Sequence, residues 1–178
     1  VLEGLLEAEE LNDALVYAGM EAETALVRTD RTVELNTEAA VNLHVALGGK
    51  IKGIIPTHIE AFLMKLREIG VDYTIQDDVM TISKCEDIKP TYIKTLVFPG
   101  FPTDLQQPMT TLLTQANGKS MVEETIYENR FQNTYDLNRM GAITNILTLN
   151  KLEIKGPRKL KGKKVIATDL RGGASLLI

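Results

Sequence analysis

One phrase recurs along this chain and restricts what it can fold into. Leu66-Arg67-Glu68-Ile69-Gly70 returns as Leu137-Asn138-Arg139-Met140-Gly141, with a looser match at Ala14-Leu15-Val16-Tyr17-Ala18-Gly19. In each copy a helical stretch closes on glycine, the residue that enters the left-handed conformation past a helix end at least cost. The first two copies are each followed by a strand, a turn and a strand: residues 71–75 and 79–82 around Gln76-Asp77-Asp78, then 142–147 and 151–154 around Leu149-Asn150. A second marker runs in step. Thr37-Glu38, Thr103-Asp104 and Thr168-Asp169 each open a helical pattern, at intervals of 66 and 65 residues. Thr is a good helix cap, and an acidic residue behind it suits the positive end of the helix dipole.

The chain therefore reads as units of strand, capped helix, strand, helix, glycine and hairpin. They span about 37–90 and 91–156, with a partial unit over 1–36 and the opening of another over 157–178, together one domain over 1–178. Within them, helices are expected at 1–18, 37–47, 59–69, 103–116 and 135–140, and strands at 25–28, 32–35, 50–55, 92–98 and 120–126 in addition to the hairpins. Ile59, Phe62, Leu63, Leu66 and Ile69 fall on one helical stripe. A unit of this size cannot bury its own apolar face, so the units must pack helix against helix with sheets outside or between. The expected class is α/β (α+β), repeated units around buried helices.

Composition narrows the function. The chain is 44% hydrophobic over 178 residues, enough for a sizeable core. A net charge of −4 argues against a general nucleic-acid binder, which needs a basic surface. The basic run Lys151, Lys155, Arg158, Lys159, Lys161, Lys163, Lys164 has no interleaved aromatics for base stacking and reads as a solvated loop. No apolar run reaches the length of a membrane span, and the acidic N-terminal stretch is unlike a signal peptide. The single cysteine, Cys85, rules out an internal disulfide framework, which together with the rest points to the cytoplasm. His44 and His58 have no second ligand at metal spacing. The first residue is not Met and the last five run apolar, so the natural chain is expected to continue at both ends.

Four ordered stretches carry a resemblance: Gly100-Phe101-Pro102-Thr103-Asp104-Leu105-Gln106; Glu124-Thr125-Ile126-Tyr127-Glu128-Asn129-Arg130-Phe131; Arg139-Met140-Gly141-Ala142; and Ala167-Thr168-Asp169-Leu170-Arg171-Gly172-Gly173-Ala174-Ser175-Leu176. In these the chain resembles the enolpyruvyl transferases, in particular the sugar-nucleotide branch that starts peptidoglycan precursor synthesis. The likeness covers about residues 50–178 well and 37–49 loosely. It implies an inside-out α/β barrel domain with the active site between two such domains. It also implies a reaction: the enolpyruvyl group of phosphoenolpyruvate passes to the 3-hydroxyl of UDP-N-acetylglucosamine and phosphate leaves. No cofactor or metal is implied. The Lys-Asn pair, the cysteine loop with its Arg and the late Arg of the family have no match here, so a second domain or chain is expected to complete the cleft.

The resemblance singles out residues, each with an ordinary structural alternative. Asp104 matches the family's base for the attacking hydroxyl and contacts the sugar. Read alone, it is a first-turn carboxylate worth ~0.3–1 kcal/mol to a helix. Asp169 and Arg171 match an Asp-Leu-Arg at the domain interface near the phosphoenolpyruvate site, with Leu170 between them a substrate contact. An Arg there suits phosphate because its planar fork is always charged; the alternative is a capped helix start with a surface ion pair. Ile126 matches a position that offers backbone to the substrate, and Tyr127 an aromatic close to the nucleotide. Arg130 has two readings, a substrate contact or an ion pair with Glu128 or Glu124. The other functional readings are a truncated homologue that only binds a nucleotide sugar or a partner, and the sister enzyme acting on shikimate 3-phosphate.

Overall fold

The computed structural model of the chain describes residues 48–165 and 170–176. The elements expected at 1–18, 25–28, 32–35 and 37–47, and the Thr168-Asp169 marker, lie outside the described residues.

The first unit is a three-stranded antiparallel sheet with one helix. Strand β1 (Gly49–Lys52) and the hairpin β2 (Tyr73–Gln76) and β3 (Val79–Ile82) form it in the order β1-β3-β2. Gln76 pairs with Val79 across a two-residue turn, and Asp77 takes φ 56°, a left-handed value that short acidic side chains tolerate. Helix α1 (Glu60–Glu68) covers the sheet. The expected stripe holds: Phe62, Leu63, Leu66 and Ile69 are buried and Ile59 packs partly against them.

The second unit adds a mixed sheet. Strands β4 (Tyr92–Lys94) and β5 (Gly118–Glu123) run parallel, joined by helix α2 (Gln106–Leu113). The hairpin β6 (Ile143–Thr148) and β7 (Lys151–Gly156) completes the order β4-β5-β7-β6, with helix α3 (Asn133–Met140) preceding it. Helix α4 (Leu170–Ser175) packs on α2. All eight residues of α2 are buried, so it has no solvent face and no amphipathic stripe for sequence to display. Gly156 lies where β7 meets the end of α2; a Cβ there would sit 2.4 Å from the Thr114 carbonyl oxygen and 2.6 Å from that of Ala116.

The two glycine-ended phrases close with the same hydrogen bonds. Val71 N–H donates to Leu66 O at 2.9 Å and Ala142 N–H to Leu137 O at 2.9 Å. Gly70 donates to Arg67 O and Gly141 to Asn138 O, with φ of 90° and 110° respectively. Both helices thus end in the same wound-down turn, which satisfies last-turn carbonyls and needs the missing Cβ. Cys85, half-buried, donates its thiol to Gly70 O at 3.5 Å.

Five expectations shift. The strand expected at 50–55 is Gly49–Lys52, and the chain leaves the sheet ahead of a 3-10 turn that opens at Pro56. The strand expected at 92–98 ends at Lys94, because residues 95–102 turn away past Pro99 and Pro102 and only Thr95 bridges on to Phe101. The strand expected at 120–126 is Gly118–Glu123 and leaves Glu124 beyond its end. Thr103 does not cap a helix: it starts a 3-10 turn (Thr103–Leu105) behind Pro102, without a side-chain cap bond, and its hydroxyl is used elsewhere. The helix expected at 103–116 is that turn followed by α2. The basic run is a solvated loop only in part: Arg158, Lys159, Lys161, Lys163 and Lys164 are exposed beyond β7, but Lys151 and Lys155 belong to β7 itself, where they pair with Glu123 and Glu153.

On β7, Glu153 lies between Lys119 (2.8 Å) and Lys155 (3.2 Å). The Lys119 hydrogen bond, then those of Lys155 and Asn145, hold its carboxyl at about 2 against the cost of leaving water. A carboxyl that titrates lower folded than unfolded adds stability above its unfolded value and loses it as pH falls. For Glu153 the window runs from 4.5 down to about 2. Glu153→Gln is expected to flatten the acid-side loss of stability in that window, read by equilibrium unfolding at stepped pH; an unchanged slope would show that the pair does nothing for the fold.

Candidate active site at the ends of two parallel strands

Parallel pairing sets the site. Lys94 pairs with Glu123, so the next residues on each strand, Thr95 and Glu124, meet side by side, and Thr95 N–H donates to Glu123 O at 2.9 Å. Inward positions alternate on both strands: Ile93 and Thr95 on one, Ser120, Val122 and Glu124 on the other. Glu124 therefore points into the core and is 1% exposed. A buried carboxylate must be met by donors. Its Oε1 accepts from Thr95 Oγ1 (2.9 Å), Ile126 N–H (2.8 Å) and Tyr127 N–H (3.1 Å), and its Oε2 from Thr103 Oγ1 (2.9 Å).

Thr103 passes the chain outward. Its hydroxyl accepts from Arg130 Nη1 at 2.8 Å, and Arg130 Nη2 donates to Asp104 Oδ1 at 3.1 Å. The guanidinium is 12% exposed and the Asp104 side chain 46%. The same guanidinium lies 4.9 Å from the centroid of the Tyr127 ring. A cation over a ring and against a carboxylate is fixed in both position and plane. Arg130 is held there by its neighbours: Asn129 takes φ 55° to make the turn, and Phe131 anchors it in the main core at 2% exposure. Each residue of Asn129-Arg130-Phe131 thus has its own task.

The predicted pairings are corrected on one point. Arg130 pairs with Asp104, not with Glu124 or Glu128; it reaches Glu124 only through Thr103, because Glu124 is already filled by four donors. Asp104, Ile126, Tyr127 and Arg130 come together as one cluster. Ile126 and Tyr127 face outward beside it, Tyr127 58% exposed. Leu170 and Arg171 form the first turn of α4, and Asp169 lies outside the described residues. Sequence reasoning missed Glu124 as the hub. The signal was available: Ser120, Val122 and Glu124 share one parity, so a carboxylate stood at a core position. Among the described residues no group of three His, Cys, Asp or Glu is arranged to hold a metal, and no helix is long and apolar enough to cross a membrane.

A half-exposed carboxylate thus stands against an arginine at the carboxyl ends of two parallel strands, ahead of a buried helix in an α/β fold. The family model described as EPSP synthase (3-phosphoshikimate 1-carboxyvinyltransferase) matches residues 36–178, and the chain belongs to that family. Among its relatives, UDP-N-acetylglucosamine 1-carboxyvinyltransferase 2 of Listeria monocytogenes is 49% identical over 131 residues, 74% of this chain and 31% of that protein. The Bacillus subtilis protein of the same name is 48% identical over 129 residues, 72% of this chain and 30% of its own length. This chain thus spans about a third of the curated relatives it matches. In fold it is similar to the enolpyruvyl transferase NikO from Streptomyces tendae, with TM-score 0.71 at 23% identity over 79% of this chain and 34% of that one. EPSP synthase from Acinetobacter baumannii is similar with TM-score 0.56 at 13% identity, over 80% of this chain and 35% of that one. The inside-out arrangement of strands around buried helices is therefore that of the enolpyruvyl transferases.

Proposed function

We propose that this chain supplies one side of the cleft of a UDP-N-acetylglucosamine 1-carboxyvinyltransferase. In this reading phosphoenolpyruvate gives its enolpyruvyl group to the 3-hydroxyl of UDP-N-acetylglucosamine and phosphate is released. The observation that carries it is the oriented Asp104 carboxylate, in a chain 49% identical to a relative of that name. Asp104 accepts the hydroxyl proton, and proton transfer of this kind contributes ~10²–10⁴-fold. Arg130 holds Asp104 in place and so acts as a positioning residue. Ile126 offers backbone to the sugar, Tyr127 its ring to the nucleotide, and Leu170 a further contact. Asp169 and Arg171 serve the phosphoenolpyruvate end, where a guanidinium suits phosphate. A second domain or chain brings the remaining cations, and the single domain here is one half of the pair. A cytoplasmic setting goes with this reading, as does a bearing on cell shape and division through the wall precursor.

Calorimetry tests it. The chain is expected to bind UDP-N-acetylglucosamine, and Asp104→Asn to weaken that binding about tenfold, close to 1.4 kcal/mol, with the melting temperature nearly unchanged because the Asp104 side chain is half-exposed and an Asn oxygen still accepts from Arg130 Nη2. No detectable binding by the unaltered chain would sink the reading. A second substrate follows from the family description itself: heat on adding shikimate 3-phosphate, and none with the nucleotide sugar, would favour the sister reaction.

A further inference from the structure

We infer that Glu124 is a positioning residue, one buried carboxylate that sets the two substrate-facing segments against each other; the inference rests on the cleft proposed above. Its two oxygens divide the work. Oε1 gathers the Ile126 and Tyr127 amides, the segment that faces the nucleotide sugar. Oε2 takes the Thr103 hydroxyl, the residue before Asp104. The carboxylate thus spans 21 residues of sequence and joins the hydroxyl-facing acid to the nucleotide-facing backbone.

The direction of each bond is determined. Thr95 Oγ1 accepts from Thr125 N–H at 2.8 Å, which leaves its proton for Glu124. The Thr125 hydroxyl in turn donates to Thr95 O. Thr103 Oγ1 accepts from Arg130 Nη1, which leaves its own proton for Glu124 as well. Glu124 therefore meets four donors and no acceptor, the arrangement only a carboxylate can serve. Among the described residues no lysine or arginine pairs with it directly; the charge of Arg130 reaches it through one hydroxyl. A buried carboxylate placed for stability alone needs donors from anywhere. Three of the four donors here come from the two segments that carry Asp104, Ile126 and Tyr127, and the one beside Asp104, the Thr103 hydroxyl, also holds Arg130.

The isosteric change separates positioning from mere folding. In Glu124→Gln the amide oxygen can keep the Ile126 and Tyr127 bonds, but its NH2 then faces Thr103. Thr103 Oγ1 has two acceptor lone pairs and can take both this amide and Arg130 Nη1, but its own proton loses the Glu124 acceptor and must turn away, which shifts the hydroxyl that holds Arg130. Nuclear magnetic resonance of the 178-residue chain should show displaced Ile126 and Tyr127 amide protons and a displaced Arg130 guanidinium signal. The dissociation constant for UDP-N-acetylglucosamine should rise about tenfold. Thr103→Val should reproduce the Arg130 and affinity changes with Glu124 intact, while Thr103→Ser, which keeps the hydroxyl, should restore both; this pair also serves if Glu124→Gln fails to fold. Unmoved resonances in the Gln and Val variants, or a lowered melting temperature with unchanged affinity, would overturn the inference. If the unaltered chain does not bind the nucleotide sugar, the cleft reading fails, and the Ile126, Tyr127 and Arg130 resonances still decide whether Glu124 couples the two segments.

Discussion

Asp104→Asn is expected to lower turnover of the complete transferase by about 10²–10⁴-fold, the range that a positioned proton acceptor supplies. The substitution keeps the shape. An Asn carbonyl can still accept from Arg130 Nη2 at the place of Oδ1, and Thr103, Glu124 and the 3-10 turn are untouched. In the proposed reaction, what disappears is the carboxylate's capacity to take the hydroxyl proton. The loss should therefore fall on kcat more than on KM. The assay is phosphate release with phosphoenolpyruvate and UDP-N-acetylglucosamine, run on a protein that carries both sides of the cleft. The 178-residue chain alone is expected to turn over little or nothing, because the family's Lys-Asn pair, cysteine loop and late Arg have no counterpart in it. A variant within threefold of the unaltered enzyme would remove Asp104 from the chemistry, and rapid turnover by this chain alone would remove the need for a second side.

Phe62→Ala is expected to cost about 3–5 kcal/mol, the range for deleting a buried aromatic side chain. Phe62 is 1% exposed on α1 and meets Phe101 with ring centroids 6.3 Å apart at 58°. That contact matters beyond its own area. Phe101 is three residues ahead of Asp104 and bridges to Thr95, and its carbonyl accepts from Leu96 N–H at 2.9 Å. The ring thus ties the first unit's helix to the turn that presents the acid. Urea unfolding should show the lost stability with little change in denaturant slope. Phe101→Leu combined with Phe62→Ala should cost less than the sum of the two, because both remove the same packing. Additive losses would mean that the rings are energetically independent and that α1 does not support the site.

Much of the framework was legible because it is local. The stripe Phe62, Leu63, Leu66, Ile69 follows from helical period, and Gly70 and Gly141 from the left-handed turn that each helix end requires. The hairpins followed from alternation and their turns. Helix α2 was legible in place but not in character: fully surrounded, it carries Gln106, Gln107, Thr110 and Thr111 inside, and Gln106 donates to the Thr110 hydroxyl at 3.0 Å. Polar residues at such a density read as a surface until the neighbours are known. Thr103 was misread for the same reason. Its hydroxyl looked like a helix cap in sequence, and in space Glu124 is the better acceptor.

The residues of the site show the same division. Asp104, Ile126, Tyr127 and Arg130 were marked by motif, and the family resemblance attached a chemistry to them. The sequence by itself determined two glycine-ended helices, the hairpin that follows each, and an acid behind Thr103. The tertiary structure alone decided that Arg130 serves Asp104, 26 residues away, and that Glu124 joins their two segments. The physical reason lies in the crossover. Once β4 and β5 pair in parallel with Lys94 opposite Glu123, Thr95 and Glu124 must meet, and a carboxylate turned inward there can be satisfied only by donors that the chain brings back from elsewhere.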